Sequence, residues 1–327
     1  MNIAPPESVP AGSRQLFCIL SARSLPYASL GLQSLFTHSQ EQLSLKLITD
    51  DETDKEQILA ALSGMAIPAR HQWQVHAKRE ADERADDLFA GYPNLQQFRH
   101  GHPCWRKITD PLLFAAPGTD LVILDPDLYF PNQFSFERTP ASGLLLMWQP
   151  PSCLLPDEVV ERAFAGGIRL AHHVDIGVAQ LHNSVDLQWL DRLIATLGGE
   201  SIPRAMHVEA IVWSAMAMQI GGGYLDPRHW VCYQYQQWKR VALKLKLKGT
   251  TLLRAQDFRD TKCFHAGGVA KWWLKEFREK QRFPPPRHVQ SSFPAKPFEE
   301  LTAREHHADR RLKRVARRLG YYRLMGS

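Results

Sequence analysis

Asp125 and Asp127 stand one residue apart at the end of a continuous apolar run, Leu121 to Leu124, in the stretch LVILDPDLYFP. Such a run reads as a strand buried on both faces, and open α/β sheets bind ligands at the carboxyl ends of their strands. Two carboxylates delivered there can hold a hard divalent cation, with phosphate oxygens and water in the remaining positions. Asp-x-Asp pairs also occur by chance in turns, so it is the placement after the strand that singles this one out. Far along the chain, Phe264 to Trp273 reads FHAGGVAKWW. His265, three residues before Gly268 and six before Lys271, offers an imidazole ligand, a close backbone approach and an ammonium to one diphosphate. Taken singly, His265 reads as a structural histidine and Lys271 as a surface lysine. The two motifs in this order point to one metal and diphosphate site.

The elements that must position these residues are legible as a rhythm. LFCIL at 16 to 20, a helix-like stretch from Tyr27 to Thr37 and LSLKLI at 43 to 48 give strand, helix, strand. KITDPLLFAA at 107 to 116 predicts a helix with Pro111 in its first turn, and GLLLMW at 143 to 148 a buried strand. LPDEVVERAFAGG at 155 to 167 predicts a helix stopped by Gly166, and VDIGVAQLH at 174 to 182 a strand. Val208 to Ile220 is an apolar helix ended by Gly221 to Gly223. Strands and helices alternating in this way predict an α/β domain with a mostly parallel sheet over residues 15–280. VALKLKLKG at 241 to 249 alternates strictly and reads as a half-exposed strand with its lysines outward. Residues 1–14 read as a disordered leader, 281–298 as a proline-rich linker and 299–327 as a basic amphipathic helical tail.

With 44% hydrophobic and 23% charged residues the chain has globular composition, which excludes a disordered, collagenous or coiled-coil protein. The net charge of +6 is not spread evenly. From residue 281 onward there are 11 Lys/Arg and 4 Asp/Glu, whereas the first 280 residues carry about −1. A basic tail on a neutral body argues against a nucleic-acid groove in the fold. Cys18, Cys104, Cys153, Cys232 and Cys263 are odd in number and never in a CxxC pair, which fits neither a disulfide framework nor a zinc knuckle. With no signal-like segment and no apolar stretch of membrane-spanning length, the expectation is a cytoplasmic protein.

The Asp-x-Asp after a buried strand, followed late by His265, Gly268 and Lys271, resembles the pattern of glycosyltransferase family 8. These are the retaining enzymes that include glycogenin and bacterial lipopolysaccharide galactosyl- and glucosyltransferases. The late family motif is His-x-x-Gly-x-x-Lys-Pro-Trp, and Trp272 replaces its proline here, the mark of a divergent relative. Further landmarks follow in order over about residues 16 to 275. FCILSARSLPYASLGLQSL resembles the opening nucleotide-binding strand and helix, which places Ser21 and Ala22 at the nucleotide. LITDD resembles the second strand with its polar end, Asp50. Lys107 lies where the family has a basic residue near donor sugar and phosphate. VDIGV resembles the Asn-Ser-Gly-Val strand with Asp175 for the asparagine. HVEAIVW resembles the Asp-Gln helix start with Glu209 in the acidic position.

The resemblance implies a GT-A-type (Rossmann-like) fold, a nucleotide-sugar donor, most often a UDP-sugar, and Mn²⁺ or Mg²⁺ held by Asp125, Asp127 and His265. Ser21, Ala22, Asp50, Lys107, Gly268 and Lys271 are then the donor-binding residues. Asp175 and Glu209 are the catalytic candidates, contacting donor hydroxyls or the reacting centre under retention. Under inversion, one of them would be the general base for the acceptor hydroxyl. The acceptor expected is a glycan or lipid-linked sugar.

His172 and His173 precede VDIGV and read more readily as structural than as donor-facing. Trp230, Tyr233, Tyr235 and Trp238 can stack an acceptor sugar or belong to the core, and one of Trp272 and Trp273 is expected to line the pocket. In the tail, Leu312, Val315, Ala316 and Leu319 share a helical face among six arginines and lysines. That helix suits an anionic membrane, or else docks on the body with its basic face in solvent. Rival readings are a haloacid dehalogenase-type phosphohydrolase, whose Asp-x-Asp would sit near the N-terminus, and a non-catalytic sugar-binding relative of a glycosyltransferase. A sugar nucleotidyltransferase would need a glycine-rich loop that LSARSLPYASL lacks.

Overall fold

The structure is a computed structural model that describes residues 12–141, 143–150, 152–234, 236–291 and 296–321. The chain opens with β1 (Arg14–Ile19), α1 (Leu25–His38), β2 (Leu43–Ile48), α2 (Glu52–Ser63) and β3 (Gln72–His76). Three helices follow, α3 (Lys78–Leu88), α4 (Pro93–Arg99) and α5 (Arg106–Phe114), and lead into β4 (Asp120–Leu124). Short strands β5 (Leu128–Tyr129) and β6 (Gln133–Phe134) precede β7 (Leu144–Trp148), α6 (Asp157–Ala165), β8 (Leu170–Ala171) and β9 (Val174–His182). Next come α7 (Leu187–Leu197), α8 (Val208–Ile220), β10 (Gly222–Tyr224), β11 (Trp230–Cys232), α9 (Gln237–Lys244) and α10 (Gly249–Arg254). The chain closes with β12 (Cys263–His265), α11 (Lys271–Glu279), β13 (His288–Val289), β14 (Lys296–Pro297), β15 (Glu300–Leu301) and α12 (Ala303–Arg318).

Eight strands form one sheet in the order β14-β10-β7-β9-β4-β1-β2-β3. The alternation predicted the α/β architecture and the mostly parallel run β4-β1-β2-β3. It did not predict that β9 runs antiparallel to both its neighbours, β4 and β7. That reversal puts the start of β9 beside the carboxyl end of β4, where the Asp125 N–H donates to the Gly177 carbonyl at 2.9 Å. One face of the sheet is covered by α3 to α8, the other by α1, α2 and a second sheet, β11-β12-β5, so that two apolar layers enclose it. In the second sheet β12 pairs antiparallel with β5, His265 opposite Leu128.

Three local expectations are corrected. Residues 241–249 are not a strand: α9 runs into a turn at Lys246, whose φ is 61°, before α10. Lys, Arg, Leu and Ala are strong helix formers, and the strict alternation finds no partner strand among the described residues. Pro111 lies inside α5, not in its first turn, because the helix begins at Arg106 behind a short 3-10 turn, Pro103–Trp105. The segment 281–298, expected as a linker, contributes β13 and β14, which pair with β6 and β10. Much of the leader, residues 1–11, and Tyr235 lie outside the described residues, as do residues 292–295 and 322–327.

Candidate active site

β4 delivers Asp125 and Asp127 to the carboxyl edge of the sheet, and β5 continues directly from them. Pairing of β5 with β12 then carries His265 across a gap of 138 residues, and the Ala266 N–H donates to the Asp127 carbonyl at 2.9 Å. His265 Nε2 lies 3.2 Å from Asp127 Oδ1 and 3.6 Å from Asp125 Oδ2. The outer oxygen of each aspartate is held by a lysine. Lys107 Nζ reaches Asp125 Oδ1 at 2.6 Å, and Lys271 Nζ stands 3.4 Å from Asp127 Oδ2. Each lysine thus fixes its carboxylate with the inner oxygen turned toward the imidazole. Two oxygens and one nitrogen converge within 4.8 Å of one another, a donor set that fits a divalent cation.

Behind His265 sits Asp175. Its Oδ1 takes hydrogen bonds from His265 Nδ1 at 2.8 Å and from the Gly177 N–H at 3.0 Å, while the Cys232 thiol donates to Oδ2 at 3.1 Å. This network explains why glycine follows at 177. A Cβ there would lie 2.6 Å from His265 Nδ1, a distance real side chains do not tolerate. Gly268, at φ +65°, occupies the left-handed region that lets the late loop turn toward Lys271.

Glu209 opens α8 and is buried, with Oε1 2.7 Å from Lys107 Nζ. Its Oε2 has no hydrogen-bond partner among the described residues. A buried orphan oxygen of this kind fits a site built to receive a ligand hydroxyl.

The electrostatics follow from burial set against this charge pattern. Burial pushes the Glu209 carboxyl up to about 8, with Lys107 opposing and Asp125 assisting. Burial likewise raises Asp125 against the pull of Lys107 and His265. At Asp127 burial is outweighed by His265, with Lys271 and Lys107 behind it, and the carboxyl is held below its ordinary range. At His265 burial opposes the charged form, but Asp175 and Asp127 overcome it and raise the imidazole well above 6.5. Lys107 is raised in the same way by Asp125 and Glu209.

The remaining predicted residues divide among the sheet's carboxyl edge, the core and the surface. Ser21 and Ala22 follow β1, and the Ala22 N–H donates to Asp54 at 3.0 Å. Asp50 is paired with Arg106. Trp230 and Tyr233 are buried in the core, with Trp230 Nε1 donating to Glu137 at 3.0 Å, whereas Trp238 is exposed. Trp272 meets Tyr27 edge-on at 5.1 Å on the rim, and Lys271 Nζ stands 4.5 Å over the same Tyr27 ring. His173 is a local backbone feature at φ 53°, its Nδ1 bonded to the Gln149 carbonyl at 3.2 Å. Sequence reasoning missed Cys232, Tyr27 and Arg106. Their contacts depend on strand pairing and on helix faces, and no local pattern announces them.

No family profile matches the chain, and no curated protein sequence matches it. Similar solved structures do exist. Mouse xyloside xylosyltransferase 1, in its apo form, superposes with a TM-score of 0.50 at 11% identity over 80% of this chain and 99% of that one. The galactosyltransferase LgtC, in complex with donor and acceptor sugar analogues, gives 0.47 at 11% identity over 81% and 94%. GlyE of Streptococcus pneumoniae gives 0.45 at 12% identity over 84% and 65%. At these identities the likeness speaks for the fold: the chain has the glycosyltransferase A-type architecture, shared with the mouse xylosyltransferase over four fifths of its length.

Proposed function

We propose that the protein is a metal-dependent glycosyltransferase that transfers a sugar from a nucleotide-sugar donor to a hydroxyl of a glycan or lipid-linked acceptor. The observation that carries this reading is the convergence of Asp125, Asp127 and His265, backed by Lys107 and Lys271, at the carboxyl edge of a sheet of glycosyltransferase architecture. A UDP-sugar and a retaining outcome are proposed on the resemblance of the two motifs. Mixed carboxylate and imidazole donors favour Mn²⁺ over Mg²⁺, which prefers oxygen alone. When bound, such an ion supplies Lewis-acid neutralisation of the departing diphosphate.

The chain's own groups do the rest. Lys271 places a second positive charge beside Asp127, where leaving-group charge develops. Lys107 balances Asp125 and Glu209 at once. Glu209, with its unpartnered oxygen, is the group proposed to meet a donor or acceptor hydroxyl. Asp175, read from sequence as a catalytic candidate beside Glu209, is proposed instead to position His265, since its carboxylate already accepts from three donors. Ser21, Ala22, Asp50 and Gly268 are proposed at the nucleotide and phosphate side.

The C-terminal tail extends the proposal to a peripheral contact with an anionic membrane. The first half of α12 is docked: His306 is buried against Phe164, and Arg310 pairs with Asp157 at 3.0 Å. The second half leaves Leu312, Val315 and Leu319 exposed among arginines. Among the described residues no helix is long and apolar enough to cross a membrane. Five free thiols suit a reducing compartment, and we place the protein in the cytoplasm on that ground.

The test is nucleotide release from a panel of UDP- and GDP-sugars, with and without Mn²⁺. Metal-dependent release from at least one donor is expected. No release from any donor by a folded, Mn²⁺-loaded protein, with or without candidate acceptor sugars, removes the reading.

A further inference from the structure

We propose that the segment between Gln236 and Lys248 is a lipid-facing lip that seats the protein on an anionic bilayer. The segment is anchored at both ends on the rim of the site. At one end the Tyr233 N–H donates to the His265 carbonyl at 2.8 Å. At the other, Gly249 is pressed so closely on Trp273 that a Cβ would meet the indole at 2.0 Å. Between these anchors, none of the described side chains from 238 to 248 is buried.

The exposed side chains are of the wrong kind for a solvated helix. Trp238 is 52% exposed, Val241 40%, Leu245 77% and Leu247 41%. Trp238, Val241 and Leu245 follow at intervals of three and four residues, so they form one ridge along α9 and its C-terminal turn. The ordinary use of such a ridge is burial on the body, which the described residues do not make of it. On the same rim Val269 and Trp272, either side of Lys271, are also exposed. An exposed apolar ridge of this kind marks an interaction site.

The charges choose the partner. Lys239, Arg240, Lys244, Lys246 and Lys248 lie in the segment, and no Asp or Glu occurs from residue 227 to 256. A second copy of the chain meeting on this face would oppose these cations to themselves, which like-charge repulsion disfavours. A nucleic acid would use the lysines but leave the leucines in water. An anionic bilayer serves both sets at once: tryptophan and leucine enter the headgroup boundary, and lysines meet acidic headgroups. This surface stands on its own residues and does not depend on the transferase reading. If that reading holds, the lip presents the site mouth to lipid-borne acceptors.

The experiment is co-sedimentation of the full-length protein with phosphatidylcholine vesicles, with and without phosphatidylglycerol, at low salt. Leu245→Asp and the double variant Lys244→Glu/Lys246→Glu are compared with the wild type, each also in a chain ending at Arg310 to set the tail aside. A lysine near such a surface contributes about fivefold to binding. Wild type is expected to prefer the anionic vesicles, and the double variant to lose at least about tenfold. Donor hydrolysis without vesicles should be unchanged in all variants. Equal vesicle binding by wild type and variants in both chain lengths would overturn the proposal. So would variants that split an oligomer or abolish oligonucleotide binding while vesicle binding stays intact, since the face would then be a protein or nucleic-acid interface.

Discussion

Asp175 Oδ1 accepts a hydrogen bond from Nδ1 of His265 at 2.8 Å, and this one contact decides which imidazole nitrogen faces Asp125 and Asp127. A histidine that ligates a metal through one nitrogen commonly gives its other N–H to a carboxylate, which fixes the ring and raises its basicity. The pair is held by its surroundings: Gly177 leaves room for the ring, and the Cys232 thiol ties down the far oxygen of Asp175.

Removing this partner should therefore loosen the metal. Asp175→Ala is expected to weaken Mn²⁺ binding in the presence of UDP by about 10- to 100-fold, while Asp175→Asn, which keeps an acceptor oxygen, loses less. His265→Ala should abolish the gain in Mn²⁺ affinity that UDP confers. Calorimetric titration of Mn²⁺ with and without UDP reads both. Wild-type affinity in Asp175→Ala would show that the contact has no bearing on the metal.

The same geometry sets a pH dependence. Although burial opposes it, Asp175 and Asp127 raise the His265 pKa well above 6.5, which favours a protonated ring in the metal-free protein. That proton must leave before a cation binds, so Mn²⁺ affinity should rise with pH and binding should release a proton. Titration in buffers of different ionisation enthalpy measures the release, which His265→Ala should lose. For folding the sign is opposite. The contribution of His265 is fully present below about 6.5 and is lost as pH rises through the elevated folded value.

Lys271 stands 3.4 Å from Asp127 and packs over Tyr27, contacts that serve the site more than the core. Lys271→Ala should lower turnover of the donor about 10²-fold or more, the usual effect of losing one charge-stabilising group. Steady-state kinetics at saturating donor decide it, and unchanged turnover takes Lys271 out of the site.

A stability prediction lies away from the chemistry. Lys262 and Glu137 are both buried, paired at 2.7 Å, and Trp230 donates to the same Glu137 oxygen at 3.0 Å. Glu137→Ala strands a buried ammonium and should cost about 3–5 kcal/mol. Lys262→Met in the same chain should recover much of that loss. Urea unfolding of the single and double variants tests the coupling.

Although the sequence starts the tail at residue 299, the cut that separates it from the body falls after Arg310, because β15, His306 and Arg310 are packed on the body. A chain ending at Arg310 should keep wild-type stability and donor hydrolysis and bind anionic vesicles more weakly. Equal vesicle binding at low salt would confine any membrane contact to the body.

The motifs and the alternation of strands and helices were legible because they are local. A buried parallel strand must be a continuous apolar run, as Leu121 to Leu124 is, and a carboxylate just past its end can only emerge at the sheet's edge. Local pattern misjudged residues 241–249, where alternation and helix propensity compete and only the presence or absence of a neighbouring strand settles the outcome. Everything that makes the site one object is non-local. The reversal of β9 brings Asp175 to the edge where β4 ends, and the pairing of β5 with β12 carries His265 to Asp127. The packing of α5 against α8 lets Lys107 reach both Asp125 and Glu209. Residue types thus stated which chemistry was available. Strand direction and pairing, set by burial across the whole sheet, decided that Asp175 stands behind the imidazole and Glu209 beside the lysine.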